Sequence, residues 1–331
     1  MSNPRKYFFV GLNTGFVSDK RPDQRCLDFY TARSDHGLYC AVVGNVTIPG
    51  GVGPNPNTAE ISDHPAWSRL ANSIAAKGAL AGIQLATVWP SYVGMKNFVS
   101  RTSAEQIGRC HNLVRSLAVE DVESLFRAIH HGSDLAIKAG FGHIQLHAAH
   151  GYLISLLIDR RIYPDADIVL AAVADWAKRC TAQAVETSIR VSLRTGDAAF
   201  DAAGRQAFID QIAALPVGYV DLSSGFYAID KRLIYPTLAS IVRQRREETV
   251  AVANRHAHRE FIFSGKSTAT NEADLPTNLH IGICRDLIAN PNYLRDKDNG
   301  CINSMKCHYY SRNKSHLTCG RWEKAGRLVG G

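Results

Sequence analysis

Residues 142–153 read GHIQLHAAHGYL. The first six form an apolar run of buried-strand length, and the rest of the stretch is turn-like. If the strand runs through His147, the next five residues form a loop above its carboxyl end. His147 and His150, three apart, can then converge on one ligand atom, with the Tyr152 phenol beside them. Two neutral imidazoles suit hydrogen bonds to a carbonyl or phenolate oxygen. A phenol can deliver a proton. The bland alternative is a surface loop with two incidental histidines, and three functional groups at one strand end outweigh it. Zinc would need a third ligand, and none sits nearby.

Seven runs of similar length flank this one. They are residues 7–12 (YFFVGL), 38–43 (LYCAVV), 81–86 (AGIQLA), 189–194 (IRVSLR), 218–222 (GYVDL), 260–264 (EFIFS) and 279–283 (LHIGI). Helix signals fill the intervals. Ser62-Asp63 opens a helix-like segment that stops at Lys77-Gly78. Val122, Leu125, Phe126 and Ile129 share one face at helical spacing, and residues 167–187 and 202–215 read similarly. Eight strands alternating with helices is the arithmetic of a (β/α)8, or TIM, barrel of the α/β class. An open doubly wound sheet would show G-x-G-x-x-G after its first strand, and that motif is absent. The expected organisation is one barrel over residues 1–295 and a basic, Cys-containing C-terminal extension over 296–331. Between the last two strands only residues 265–278 remain, so that helix should be short or missing.

Composition narrows the function classes. The 331 residues are 45% hydrophobic and 21% charged, an ordinary globular balance. No apolar run approaches the roughly 20 residues that span a bilayer, and the N-terminus lacks the apolar stretch of a secretory signal. The expected location is cytoplasmic, with no membrane partner. Eight scattered cysteines do not form a secreted disulfide framework. The formal charge is +8, with Arg295, Lys297, Lys306, Arg312, Lys314, Arg321, Lys324 and Arg327 concentrated late. A basic tail alone, without a nucleic-acid motif, points to a phosphorylated ligand or to solubility sooner than to nucleic acid.

In such barrels the chemistry belongs at the carboxyl ends of the strands. Gln84 is an uncharged amide inside the third strand and needs partners there. Arg194 ends the fifth strand. Gly265 and Lys266 follow the seventh, and Cys284 and Arg285 the eighth. Adjacent turns at those last two strands form the usual phosphate cradle of barrel enzymes.

At these residues a family resemblance emerges. Residues 139–155 (AGFGHIQLHAAHGYLIS) resemble the fourth-strand signature of the old yellow enzyme family of FMN-dependent oxidoreductases. Residues 5–15, Gly82-Ile83-Gln84-Leu85 and residues 282–291 (GICRDLIANP) are similar to the family's first, third and eighth strands. The resemblance implies FMN across the barrel mouth. Backbone groups of Val10, Gly11 and Leu12 would face the flavin ring, and Asn13 would lie near its N5/O4 edge. Gly44 and Asn45, after the second strand, would sit beside it. Gln84 would bind the pyrimidine edge and Arg194 would contact N1 and O2, with Arg190 the alternative. The amides of Gly265, Lys266, Cys284 and Arg285 would hold the phosphate. His147 and His150 would grip the substrate oxygen.

The implied reaction is that of an ene-reductase. NADH or NADPH delivers hydride through flavin N5 to a carbon–carbon double bond conjugated to a carbonyl, and Tyr152 is the proton donor. This sequence departs from the family at residues 86–92 (ATVWPSY), at 159–164 (DRRIYP) and at Cys284, so the substrate wall differs. Oxidation of a bound substrate or a redox-neutral rearrangement stays open on the same scaffold. The family's extra FAD and dinucleotide domains are not expected here, so electrons are expected from a nicotinamide cofactor or a redox partner protein. A homo-oligomer is compatible with the sequence. Cys301, Cys307 and Cys319 resemble the region where larger members ligate a 4Fe–4S cluster, with Ser304 where a fourth ligand stands. A zinc site completed by His308 or His316, or no metal, are the alternatives. From another class, the rival reading is a non-catalytic binding protein with a basic tail.

Overall fold

The computed structural model describes residues 4–92 and 102–324. The extension beyond residue 324, with Arg327, lies outside the described residues. Eight strands close a parallel barrel in sequence order: β1 (Tyr7–Phe9), β2 (Cys40–Thr47), β3 (Leu80–Ala86), β4 (His143–Ala148), β5 (Glu186–Ser192), β6 (Tyr219–Ser223), β7 (Glu260–Ser264) and β8 (Leu279–Ile283). Closure comes from β1, which pairs with both β8 and β2. All eight expected strands are present, and the α/β barrel is the fold.

Alternation along each strand sorts the side chains. Ile144 and Leu146 on β4, Ile189 and Val191 on β5, and Phe261 and Phe263 on β7 join the apolar layer between strands and helices. Burying one such side chain stabilises the fold by about 1.5–3 kcal/mol. Phe8, Val10, Cys40, Val42, Tyr219 and Ile262 form a separate cluster, and the positions alternating with the outer layer on β4 to β6 are mostly polar. Gln145, Arg190, Asp221 and Ser264 are each at most 8% exposed. Most of their polar atoms find partners within this layer. Gln145 donates to Ser188 Oγ at 3.0 Å, and Ser264 Oγ donates to Asp221 at 2.6 Å.

The helix Val119–Lys138 buries Val122, Leu125, Phe126 and Ile129, the expected face. The helix expected from Ser62 begins later, at Ala66. Pro65 disfavours helical backbone at His64 and itself serves as the cap. The third expected helix is Ala166–Thr181, ending before β5, and the fourth divides into Ala198–Ala202 and Arg205–Ala213. Between β7 and β8 stand only the short 3-10 turns Ser267–Ala269 and Glu272–Asp274, as the spacing predicts. No helix among the described residues is long and apolar enough to cross a membrane.

The chain after β8 folds back over the barrel mouth. Leu317 N–H donates to the Thr14 carbonyl at 2.7 Å, Tyr309 Oη to Asn13 Oδ1 at 3.0 Å, and Trp322 Nε1 to the Ile288 carbonyl at 3.0 Å. The strap therefore touches the loop after β1 and the short helix Arg285–Ala289 after β8.

Candidate active site

Strand β4 ends at Ala148, and the turn after it is tight. His150 and Gly151 both have positive φ, +63° and +78°. A left-handed histidine costs of order 1–3 kcal/mol and persists where its surroundings fix it. Here His150 N–H donates to Ser192 Oγ at 3.0 Å, and its Nε2 shares a hydrogen bond of 2.8 Å with Ser223 Oγ. The turn folds the phenol back over the strand end. The Tyr152 ring stacks on His147 at 4.1 Å, and the two imidazole centroids are 5.2 Å apart. Tyr152 Oη accepts from Asn45 Nδ2 at 2.9 Å.

Their protonation states follow from burial. Desolvation, with the Arg190 charge behind it, lowers the His147 pKa to about 3. Burial first, then His147, Arg190 and Arg245, hold His150 well below its usual value. Burial and then Tyr227 push the Tyr152 phenol well up. At neutral pH the trio is two uncharged imidazoles and a protonated phenol, all able to donate hydrogen bonds.

One cavity joins the trio to the rest of the mouth, enclosing about 1170 Å3 of space between the atoms, its opening included. Val10, Gly11, Leu12, Asn13, Asn45 and Gln84 line one side, and Gly265, Lys266, Cys284 and Arg285 another. Gly44 does not line this cavity. It sits behind Gln84, where a Cβ would stand 2.8 Å from Gln84 Cβ. The resemblance put Gly44 and Asn45 beyond the second strand, yet both lie inside β2, where the pairing with β3 shifts register between Val43 and Val46.

The arginine expectation needs correction. Arg190, not Arg194, faces the cavity. Positions 188, 190 and 192 point inward on β5, the strand ends at Ser192, and the chain beyond it turns away. Arg194 there pairs with Glu248 of the helix Ala239–Arg255. Arg190 is a register partner of both His147 and Asp221, and its Nη1 lies 3.1 Å from Asp221 Oδ2. Residues 190 and 194 share parity, so alternation does not separate them; the end of β5 at Ser192 does.

The turns after β7 and β8 make a concavity suited to an anion. Gly265 (φ +106°) and Lys266 (φ +66°) are successive left-handed residues, the kind of backbone that presents N–H groups to a negative group. The side chains there are engaged elsewhere. Lys266 Nζ lies 3.7 Å from Asp286, and Arg285 Nη2 donates to the Pro236 carbonyl.

Among the described residues no group of three or more His, Cys, Asp or Glu stands where it could share a metal ion. Cys301 Sγ accepts from Asn303 N–H at 3.3 Å, Cys307 lines the cavity, and Cys319 is buried beside the barrel. Cys284, Cys301 and Cys319 all lie near enough to Cys307 to raise its pKa, after burial. Tyr227, Tyr235, His308 and Tyr309 also line the cavity. Sequence reasoning missed the three tyrosines, and it considered His308 only for zinc. They stand in loops without a motif, and residues 308 and 309 come from the far end of the chain.

Closed parallel strands, a polar trio at the end of β4 and a concavity after β7 and β8 thus meet at the carboxyl ends of the strands, where barrels of this kind carry their chemistry. Comparison with known proteins shows what the chain resembles. A sequence profile of the NADH:flavin oxidoreductase / NADH oxidase family matches residues 13–163. The probable NADH-dependent flavin oxidoreductase YqiG of Bacillus subtilis (strain 168) is 32% identical over 134 residues, 39% of this chain and 36% of that protein. Among solved structures, histamine dehydrogenase from Rhizobium sp. 4-9 superposes with a TM-score of 0.71 at 19% identity, over 96% of this chain and 50% of that one. A 2-naphthoyl-CoA reductase in complex with 2-naphthoyl-CoA gives 0.71 at 13% identity, over 95% and 54%. The old yellow enzyme homologue from Zymomonas mobilis gives 0.61 at 16% identity, over 90% and 89%. The chain thus spans about a third of its curated relative and half of the dehydrogenase. Over residues 13–163 the chain is similar to the NADH:flavin oxidoreductase / NADH oxidase family, and the solved structures share its barrel fold.

Proposed function

We propose that this chain binds FMN at the barrel mouth and reduces a carbon–carbon double bond conjugated to a carbonyl, drawing on NADH or NADPH. The observation that carries the reading is the convergence of His147, His150 and Tyr152 in one cavity with Arg190 and the Gly265–Lys266 turn. The cavity's chemistry fits the cofactor. Asn45 Oδ1, His147 Nδ1 and Arg190 Nε are buried there without a protein partner among the described residues. Groups left so cost about 1–3 kcal/mol each, a cost that a polar ligand removes.

The residues that would hold FMN are the backbone of Val10, Gly11 and Leu12, with Asn13 and Asn45 at one edge and Gln84 at the pyrimidine. Arg190 would supply positive charge beside the ring, and the amides of Gly265, Lys266, Cys284 and Arg285 would take the phosphate. When bound, FMN supplies two-electron hydride chemistry. His147 and His150, uncharged, donate hydrogen bonds to the substrate oxygen and draw electron density from the double bond. Tyr152 gives its proton to the α-carbon. Asn45 Nδ2 donates to the phenol oxygen and counters part of the burial that raises its pKa, so the phenolate left behind is stabilised.

Purification tests this directly. A yellow protein that releases FMN on denaturation, is bleached anaerobically by NADH or NADPH, and recovers its colour with an enone supports the proposal. A colourless protein that cannot be reconstituted with FMN overturns it in favour of a binding role.

A further inference from the structure

The cavity extends well past the trio, and its outer part has its own character. From Tyr152 an aromatic wall runs outward through Tyr227 (ring centroids 6.2 Å apart) and Tyr235 (6.0 Å further) to His308, whose ring meets Tyr235 edge-on at 3.8 Å. The phenols of Tyr227 and Tyr235 are hydrogen-bonded to each other. At the outer end two segments meet, Ile234 to Pro236 and Cys307 to Tyr309. Cations flank both. Lys231 opens the short helix that leads into Tyr235, Arg312 closes the 3-10 turn that follows Tyr309, and the Arg285 guanidinium is anchored between them on the Pro236 carbonyl. All three charges act on His308, and after its burial they are what lowers its pKa to about 4. The one carboxylate among the described residues lining the cavity is Asp286. It is already engaged by Thr268 Oγ1 at 2.6 Å, Cys301 N–H at 2.8 Å and Lys266.

We propose that the substrate is a planar conjugated molecule with a negative charge at the end remote from its carbonyl. Its plane lies along the Tyr152–Tyr227–Tyr235 wall, and its anionic group sits at the rim of Lys231, Arg285 and Arg312. The inference rests on the functional reading above for the position of the carbonyl. A row of aromatic side chains, tilted by 32° and 51° from one to the next, favours contact with a flat conjugated ligand. A rim of one sign selects charge and raises the local concentration of anions. An amine would meet the same cations and be repelled.

The test uses the purified oxidised holoprotein, where no turnover occurs, and a matched pair of ligands. Para-carboxybenzylideneacetone carries an enone at one end and a carboxylate at the other; its carboxamide has the same shape without the charge. Calorimetry should find the acid bound roughly tenfold more tightly. That advantage should shrink in high salt and largely vanish in Lys231→Gln combined with Arg312→Gln. Arg312 is exposed, so Arg312→Gln alone provides a variant whose folding is not at stake, and it should show a smaller loss. Equal affinity for acid and amide, or an acid preference unchanged in the double variant, overturns the proposal. So does a double variant that loses a preference for NADPH over NADH while keeping the acid preference, since that assigns the rim to the reductant. Failure of the flavin reading shows separately, as a colourless protein.

Discussion

Tyr152 and Arg190 carry most of what can be tested one side chain at a time. Tyr152→Phe keeps the ring stacked on His147 and deletes the hydroxyl. Flavin binding and bleaching by NADH or NADPH should be nearly unchanged, while reoxidation by an enone slows by roughly 10²–10⁴-fold, the contribution of a positioned acid. Quinone reoxidation needs no carbon protonation and should be spared. Stopped-flow measurement of both half-reactions decides; equal slowing of the two would make Tyr152 structural. The two arginines of β5 and its end should part company under urea. Arg190→Met leaves the buried Asp221 carboxylate without its cation and should cost about 3–5 kcal/mol. Arg194→Met breaks a pair whose side chains are 26% and 17% exposed and leaves Glu248 with Arg205, so it should cost less than Arg190→Met; an equal loss would contradict that ordering.

At the scale of elements, the turns after the strands do what the strands cannot. Gly265 has φ +106°, a backbone that a Cβ strains by about 1–3 kcal/mol. Gly265→Ala should therefore weaken FMN retention roughly tenfold with little change in secondary structure, read by flavin release and circular dichroism; unaltered retention would move the phosphate elsewhere. The strands themselves were legible because each is a short apolar run, and so was the trio, since His147, His150 and Tyr152 lie within one turn of chain. Arg190 was harder. Choosing it over Arg194 requires knowing where β5 stops, because residues four apart share a face of a continuous strand and only the end at Ser192 releases Arg194. Tyr227, Tyr235 and Tyr309 were illegible because only the folded barrel brings their loops together. The three C-terminal cysteines are harder to read: their spacing suggests a shared ligand set, yet among the described residues no group of three or more His, Cys, Asp or Glu is placed to hold one metal ion.

Across the whole molecule, burying uncharged histidines makes stability depend on pH. His147 ordinarily titrates at 6.5 and in the fold near 3, so between these values the unfolded chain binds the extra proton. Stability is then full above the upper value and declines as pH falls through the window, by up to about 1.4 kcal/mol per unit for each such histidine. Thermal melts on acidification should show the decline, and His147→Asn should flatten it relative to the parent; parallel curves would mean that His147 is not buried uncharged. The path of the chain has another consequence. Asn13 and Thr14 meet Tyr309 and Leu317 across the cavity, so the first and last parts of the described sequence form one wall. On the ribosome, where the amino end emerges first, the eight strands can pair while that wall is still half made. The nascent barrel is thus an open cup, and whatever it is to enclose has its widest access before the last residues of the strap are translated.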